Sequence, residues 1–317
     1  MKLVVQIPCL NEETTLSVVL ESIPKQIPGV DELVIVVIDD GSTDRTIEVA
    51  KAHGVTEFVH HVRNRGLGRS FHDGIERALE LGADIVVNTD GDNQYPQDRI
   101  ADLVQPILAG KADIVIADRQ TQTIEHFSAT KKFLQRFGSK IVNIAAATDL
   151  PDAASGFRAY SKEALLQLNT ITRFSYCMET IIQAGNKRLA IASIPVTTNA
   201  PTRKSRLFKS TPEHVMKSAA AIIRAYVMYK PYLVLGSLGG ILFVIGAIPM
   251  LRYLYFAFVE HSSRGHLQSL IIGAVILIAS FLVLVLNIIA DLIRINRILI
   301  EANLEHTKRM RFKQLDQ

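Results

Sequence analysis

Two stretches of this 317-residue chain carry no charge at all: 232–251, from Tyr232 to Leu251, and 268–290, from Gln268 to Ala290. Each is long enough to span roughly 30 Å as a helix, the thickness of a bilayer's hydrocarbon core. Too few residues remain to build a second globular domain that would bury them. Both are therefore expected to be transmembrane, and the chain must divide into a soluble part and a membrane part. The 48% apolar share and the mean hydropathy of +0.21 reflect this concentration.

Charge around the two runs sets an expected orientation. Between 203 and 230 stand Arg203, Lys204, Arg206, Lys209, Lys217, Arg224 and Lys230 against the single acid Glu213. After 290 come Arg294, Arg297, Lys308, Arg309, Arg311 and Lys313, while the loop 252–267 has only Arg252 and Arg264 as firm positive charges. Positive-inside bias places both flanks in the cytoplasm, on a cytoplasmic or ER-type membrane. Within 215–229, Val215, Met216, Ala219, Ile222, Ile223, Tyr226 and Tyr229 recur at helical spacing. A basic amphipathic helix over 211–230 suits the membrane surface. Gly236, Gly239, Gly240 and Gly246 in the first span permit close helix packing, including between protomers of a homo-oligomer. Residues 291–317 read as a cytoplasmic tail.

The first part of the chain alternates short Val/Ile-rich runs, at 3–7, 33–38, 57–60, 84–88 and 113–117, with amphipathic segments near 13–23, 43–53, 68–81 and 97–109. Continuous apolar runs suggest strands buried on both faces, hence a parallel α/β sheet covered by helices. Further helices are expected near 129–146 and 175–185, with a closing strand at Leu189–Val196. The strand at 3–7 leaves no room for an evident signal peptide. Cys9 and Cys177 cannot make a disulfide framework and lack metal-ligand spacing. The net charge of +4 gives no reason to expect a nucleic-acid partner.

In such sheets ligands gather at the carboxyl ends of strands, and three polar motifs fall there. They are Pro8-Cys9-Leu10-Asn11-Glu12, Asp39-Asp40-Gly41-Ser42-Thr43-Asp44 and Asp90-Gly91-Asp92-Asn93-Gln94. Asp90 and Asp92, one residue apart, can grip a divalent cation that offsets a diphosphate leaving group, with Gln94 adding a carbonyl oxygen. Of the next pair, Asp40 is favoured as a hydrogen-bonding partner for a nucleoside. Ser42 or Thr43 and Asn11 suit helix caps, and Glu12 is placed to reach a base or ribose. Gly66-Leu67-Gly68, near Arg63, Arg65 and Arg69, fits either a phosphate-binding helix start or a tight turn. Arg119 and Arg203 are expected to serve an anionic acceptor. Lys204, Arg206 and Lys217 are read as general lipid attraction. His60, His61, His72 and His126 have no ligand spacing and are read as surface or internally satisfied residues.

Together with Ser155-Gly156-Phe157-Arg158, these motifs occur in an order that resembles glycosyltransferase family 2 with the Rossmann-like GT-A fold, over about residues 1–210. With two trailing spans, the chain is most similar to polyprenyl-phosphate glycosyltransferases of the dolichol-phosphate mannose synthase type. The resemblance implies transfer of a hexose, with inversion, from a UDP- or GDP-linked sugar to a polyprenyl (undecaprenyl or dolichyl) monophosphate. It implies that Pro8, Leu10, Glu12, Ile38, Asp40 and Gly91 border the nucleotide. Asp90, Asp92 and Gln94 would hold Mg2+ or Mn2+. Arg119, Arg136 and Ser139 would meet the lipid phosphate, and Arg203 and Lys209 the donor diphosphate. Leu10 stands where the family commonly has an aromatic residue, and Asp90-Gly91-Asp92-Asn93-Gln94-Tyr95 replaces a more usual Ala- and His-containing run, so sugar and base choice are left open. A phosphate acceptor is already largely ionised near neutral pH and needs little general base. Asp152 leads among residues for positioning or acid–base work. A processive synthase is disfavoured because the chain has no tryptophan. A hydroxyl acceptor, which needs a base aspartate, and a non-catalytic membrane scaffold remain the competing readings.

Overall fold

The computed structural model describes residues 1–121, 129–170, 176–200, 230–260 and 266–313. The chain forms two compact units, 1–222 with 301–317 and 223–300. Arg203, Lys209, His126 and the expected amphipathic helix up to Tyr229 lie outside the described residues.

The first unit is built on a seven-stranded sheet in the order β3-β2-β1-β4-β6-β5-β7. Its strands are β1 (Lys2–Cys9), β2 (Glu32–Asp39), β3 (Glu57–His60), β4 (Ile85–Asn88), β5 (Ile114–Asp118), β6 (Arg158–Ser161) and β7 (Ile191–Pro195). The helices are α1 (Leu16–Ser22), α2 (Thr46–Ala52), α3 (Leu67–Glu80), α4 (Ile100–Leu108), α5 (Ala129–Ala146), α6 (Lys162–Gln167) and α7 (Tyr176–Asn186). The Val/Ile runs become strands because both faces of the sheet are covered. Leu3, Val4, Val5, Val36, Val37 and Val86 are wholly buried. One expectation is corrected. The sheet is mixed, since β6 runs antiparallel to both β4 and β5. The motif Ser155-Gly156-Phe157-Arg158 therefore runs into the sheet at Arg158, the first residue of β6. Its four-residue strand lacks the long apolar run by which the other strands were recognised.

The strand order reverses direction around β1. β2 and β3 lie on one side, and β4, the next strand in sequence, on the other. A crevice opens at the carboxyl ends of β1 and β4, the usual ligand position in such a sheet.

The second unit holds α8 (Pro231–Phe258) and most of α9 (Leu267–Lys313). Within it, a Cβ on Gly239 would fall 2.7 Å from Leu284, and one on Gly273 would fall 2.9 Å from the Met250 nitrogen. Ser280 donates from its hydroxyl to the Gly239 carbonyl at 2.8 Å. The small residues thus bring these two helices together, whereas a Cβ on Gly240 would meet nothing within 4 Å. Ile241, Phe243, Val244, Ile278 and Phe281 are exposed. Both helices are long and apolar enough to cross a membrane, and only 11% of each apolar window is buried. Apolar surface of that extent calls for a lipid solvent rather than water.

The expected tail is helical, and its end belongs to the first unit. Phe312 is buried, Lys308 donates to the Leu168 carbonyl at 2.9 Å, and Arg311 pairs with Glu76 and Glu80 of α3.

Candidate active site

Three loops line the crevice, and their side chains tie them together. After β1, Asn11 adopts φ +58 and its side-chain oxygen accepts from the Thr43 N–H at 2.7 Å, so it links two loops rather than capping a helix. The Glu12 N–H donates to Thr46 Oγ1 at 2.8 Å. The Thr15 hydroxyl lies 2.8 Å from the Gly91 carbonyl and 3.0 Å from Glu12 Oε2. A Cβ on Gly91 would stand 3.0 Å from Cys9 Sγ and 3.3 Å from Glu12 Cγ. A side chain at this position would push the β1 and β4 loops apart by a few tenths of an ångström. Pro8 and Leu10 are half-buried beside them, while the Ile38 side chain is fully buried against Gly74.

At the end of β2, the Asp39–Asp40 pair is committed to the protein's own framework. Asp39 accepts from the Ser42 N–H at 2.9 Å and has His60 Nδ1 at 2.7 Å. Asp40 accepts from the Arg65 N–H at 2.8 Å and the Gly66 N–H at 2.9 Å, with His61 Nδ1 at 2.7 Å. His61 Nε2 in turn faces Asp73 Oδ2 of α3 at 3.0 Å. Gly41 (φ +81) turns the chain so tightly that a Cβ would lie 2.8 Å from the Arg63 backbone. Asp40 therefore moulds the 63–66 loop. Ser42 and Thr43 do not cap α2. It begins at Thr46, whose N–H is accepted by Asp44 at 3.0 Å.

Asp90, Gly91, Asp92 and Gln94 follow β4. The two carboxylates are half-buried, unlike Asp39 and Asp40. Asp92 accepts from the Gln94 N–H at 3.1 Å and from its side-chain Nε2 at 2.8 Å. Gln94 thus turns its amide nitrogen, not its carbonyl, toward Asp92, and ligation through oxygen requires that amide to turn over. Among the described residues no group of three His, Cys, Asp or Glu side chains forms a ready-made metal cage. Two hard carboxylates one residue apart nevertheless fit a divalent cation that takes its remaining ligands from diphosphate and water, a coordination habit of Mg2+.

The other wall of the crevice comes from the loop 152–156. A Cβ on Gly156 would lie 3.6 Å from Asp90 Oδ2, so this loop adjoins the acidic pair. Gly156 is held on both sides. Its N–H donates to Tyr95 Oη at 3.0 Å, and its carbonyl accepts from Asn88 Nδ2 at 3.0 Å. Burial pushes the Tyr95 hydroxyl well above its ordinary pKa; the Arg119 charge opposes that shift and the Asp90 charge adds to it. Arg158, with no exposed surface, gathers the carbonyls of Ser155 at 2.7 Å, Ala153 at 3.0 Å and Cys177 at 2.9 Å. Its resemblance motif thus acts as an internal pin. Ser139 accepts from the Ala153 N–H at 3.2 Å, whereas Arg136 is exposed on α5. Both border a cleft of about 490 Å3 with Asn143, Leu150 and Pro151.

Arg119 and Asp152 make a buried fork. Arg119 Nε donates to Asp152 Oδ2 at 2.6 Å and Nη2 to Oδ1 at 3.0 Å. Burial alone would raise the Asp152 carboxyl, but the Arg119 charge and hydrogen bonds outweigh it and hold it below the usual carboxylate range. Ala154 also donates to Oδ1, at 3.1 Å. A carboxylate so engaged is a poor proton acceptor. Of the two tasks expected of Asp152, this geometry favours positioning, because the carboxylate is bonded to Arg119.

The model of the family described as "Glycosyl transferase family 2" matches residues 4–168, spanning the β1, β2 and β4 loops and the loop 152–156. The chain belongs to glycosyl transferase family 2. This transferase is 30% identical over 213 residues to the UDP-N-acetylglucosamine–dolichyl-phosphate N-acetylglucosaminyltransferase of Methanococcus voltae, covering 61% of this chain and 83% of that one. It is also 30% identical over 206 residues to the dolichol-phosphate mannosyltransferase of Pyrococcus furiosus, with 62% and 56% covered. In structure it is similar to glucosyl-3-phosphoglycerate synthase from Mycobacterium tuberculosis in complex with Mn2+, UDP-glucose and phosphoglyceric acid. That match has a TM-score of 0.55 and 25% identity, over 71% of this chain and 78% of the other. The sheet of the first unit is of GT-A type.

Sequence reasoning missed the supports beneath these loops. Asn88, a polar residue at the end of the Ile-Val-Val run, is the one visible signal. Its amide reaches Gly156 and Tyr176 Oη and accepts from Gln6 Nε2 at 2.9 Å.

Proposed function

We propose that this transferase moves a hexose, with inversion, from a UDP- or GDP-linked sugar to a polyprenyl monophosphate at the cytoplasmic face of a membrane, with Mg2+ or Mn2+. The observation that carries this reading is the juxtaposition across Gly156 of the Asp90/Asp92 loop with the fork that holds Arg119. An acidic pair for a cation stands beside a fixed guanidinium for a phosphate. Two apolar helices on the same chain supply a reason for a lipid acceptor, as do relatives named for dolichyl-phosphate transfer.

A cation on Asp90 and Asp92 would neutralise the diphosphate as it leaves. The chain's own residues do the rest. Asp152 keeps Arg119 charged and oriented, so that its outward N–H groups receive the acceptor phosphate. Tyr95, Asn88 and Arg158 hold the loop 152–156 in register, and approach of two anions becomes a matter of placement. Arg136 lies at the cleft on the acceptor side. Ser139 supports the loop through Ala153. Arg203 and Lys209 are assigned to the donor diphosphate by resemblance. The hydroxyl-acceptor alternative requires a free base, and the engagement of Asp152 by Arg119 favours the phosphate.

The test incubates full-length protein with radiolabelled UDP- and GDP-sugars, MnCl2 and either polyprenyl phosphate or a neutral glycolipid. Label is expected to pass to the polyprenyl phosphate and to depend on the metal. Transfer to the neutral hydroxyl alone would overturn the assignment.

A further inference from the structure

Helix α5 buries one side against the first unit. Ser139, Val142, Ala145 and Ala146 are buried, and a Cβ on Gly185 of α7 would fall 2.0 Å from the Ala146 carbonyl oxygen. On the other side, at 3.6 residues per turn, Arg136, Lys140, Ile144 and Phe137 share an arc of about 100°. Phe137 and Ile144 are each 53% exposed, and Arg136 and Lys140 are exposed with them. Single exposed apolar side chains are ordinary on a protein surface. Here two of them, two turns apart, sit on one arc with two cations. The sequence adds Lys131 and Lys132, and no acid occurs from Ala129 to Thr148.

Apolar side chains among cations match the surface of an anionic bilayer. Rings and branched chains enter the acyl boundary, while Lys and Arg stems lie along it and carry their charges to headgroup phosphates. The same chain carries α8 and α9, whose apolar surface calls for lipid, so a bilayer is always at hand. We propose that the outer arc of α5 is a membrane-docking face. Phe137 and Ile144 enter the interface of an anionic leaflet, and Lys140 pairs with its headgroups. Helix α5 also borders, through Arg136 and Asn143, the cleft of about 490 Å3. Docking presents that cleft to the lipid surface, where a polyprenyl phosphate can enter it without leaving the bilayer. This last consequence rests on the acceptor reading, but the docking face does not.

The chain has no tryptophan, so one introduced indole reports its own surroundings. Full-length Phe137→Trp and Ile144→Trp are placed in lipid nanodiscs with and without phosphatidylglycerol, and in matched discs whose acyl chains carry bromine. Val18→Trp is the control, since Val18 is exposed on α1, whose buried Leu16, Val19 and Leu20 join Leu103 of α4 in the core. Melting curves check that each variant folds, and two reporters guard against the loss of one. An indole about 5–10 Å into the headgroup boundary should emit blue-shifted light and lose about half its intensity to bromine in anionic discs. Val18→Trp should do neither. Adding Lys140→Glu to Phe137→Trp should weaken that quenching roughly twofold, because a headgroup partner becomes a repelling charge. Red-shifted, unquenched emission from both reporters would overturn the docking face. Blue-shifted but unquenched emission would place protein there, such as a second copy of the chain, and overturn the lipid assignment. Equal quenching with and without phosphatidylglycerol would overturn the pairing of Lys140 with anionic headgroups. Reporters that dock on a protein unable to glycosylate polyprenyl phosphate would overturn the acceptor reading alone.

Discussion

Two acidic pairs end neighbouring parts of one sheet, yet the fold treats them oppositely. Asp39 and Asp40, after β2, are buried and accept from backbone N–H groups and histidines. Asp90 and Asp92, after β4, remain half-buried at the switch point where β1 meets β4. The first pair shapes loops, and the second is the pair proposed to meet a ligand's charge. The same residue type in the same strand-end context therefore does not fix its role; the neighbours decide which carboxylate is consumed internally.

Asp92→Ala gives the largest expected effect. Loss of the proposed metal ligand should lower kcat by about a thousandfold, near 4 kcal/mol of transition-state stabilisation, while costing under about 1 kcal/mol of folding stability. Radiolabel transfer and thermal melting measure the two parts. Asp152→Asn comes next, because it leaves Arg119 mostly buried without its counter-charge. About 3 kcal/mol of stability should be lost, with transfer reduced alongside. Asp40→Asn should destabilise by about 2 kcal/mol, since an amide N–H would oppose donors that now meet a carboxylate. If urea denaturation found Asp40→Asn as harmless to folding as Asp92→Ala, the contrast between the pairs would fail.

A pH experiment sharpens the same comparison with a smaller effect. The Asp152 carboxyl sits below its ordinary value of 3.8. Its contribution to stability is thus complete above that value and disappears as pH falls through the lower folded value. Acid melting curves of wild type and Asp152→Asn should converge there. Gly91→Ala should have the smallest effect on the two measures taken together, costing about 1 kcal/mol of folding stability, because the new Cβ presses on Cys9 Sγ and Glu12 Cγ. It should raise the donor KM by shifting the β1 and β4 loops apart, which steady-state kinetics would read.

Much of this was legible in one dimension. Apolar runs located the strands β1 to β5 within a residue or two, because burial on both faces demands continuous Val and Ile. The uncharged stretches located the helices α8 and α9, although α9 continues far beyond its apolar part. What stayed hidden depends on contacts distant in sequence. β6 is four residues long and pairs in the sheet only because β4 and β5 flank it. Asp152 meets Arg119 across 33 positions, His61 meets Asp73 across a turn and a helix start, and Asn88 meets Tyr176 across 88 positions.

Periodicity and charge, which are local properties, determined an α/β fold with an acidic strand-end loop and two apolar helices, and the order of its motifs carried the resemblance to a transferase family. Only the tertiary structure decided which carboxylates are spent on the framework. A carboxylate's task depends on the donors that surround it, and those come from other elements.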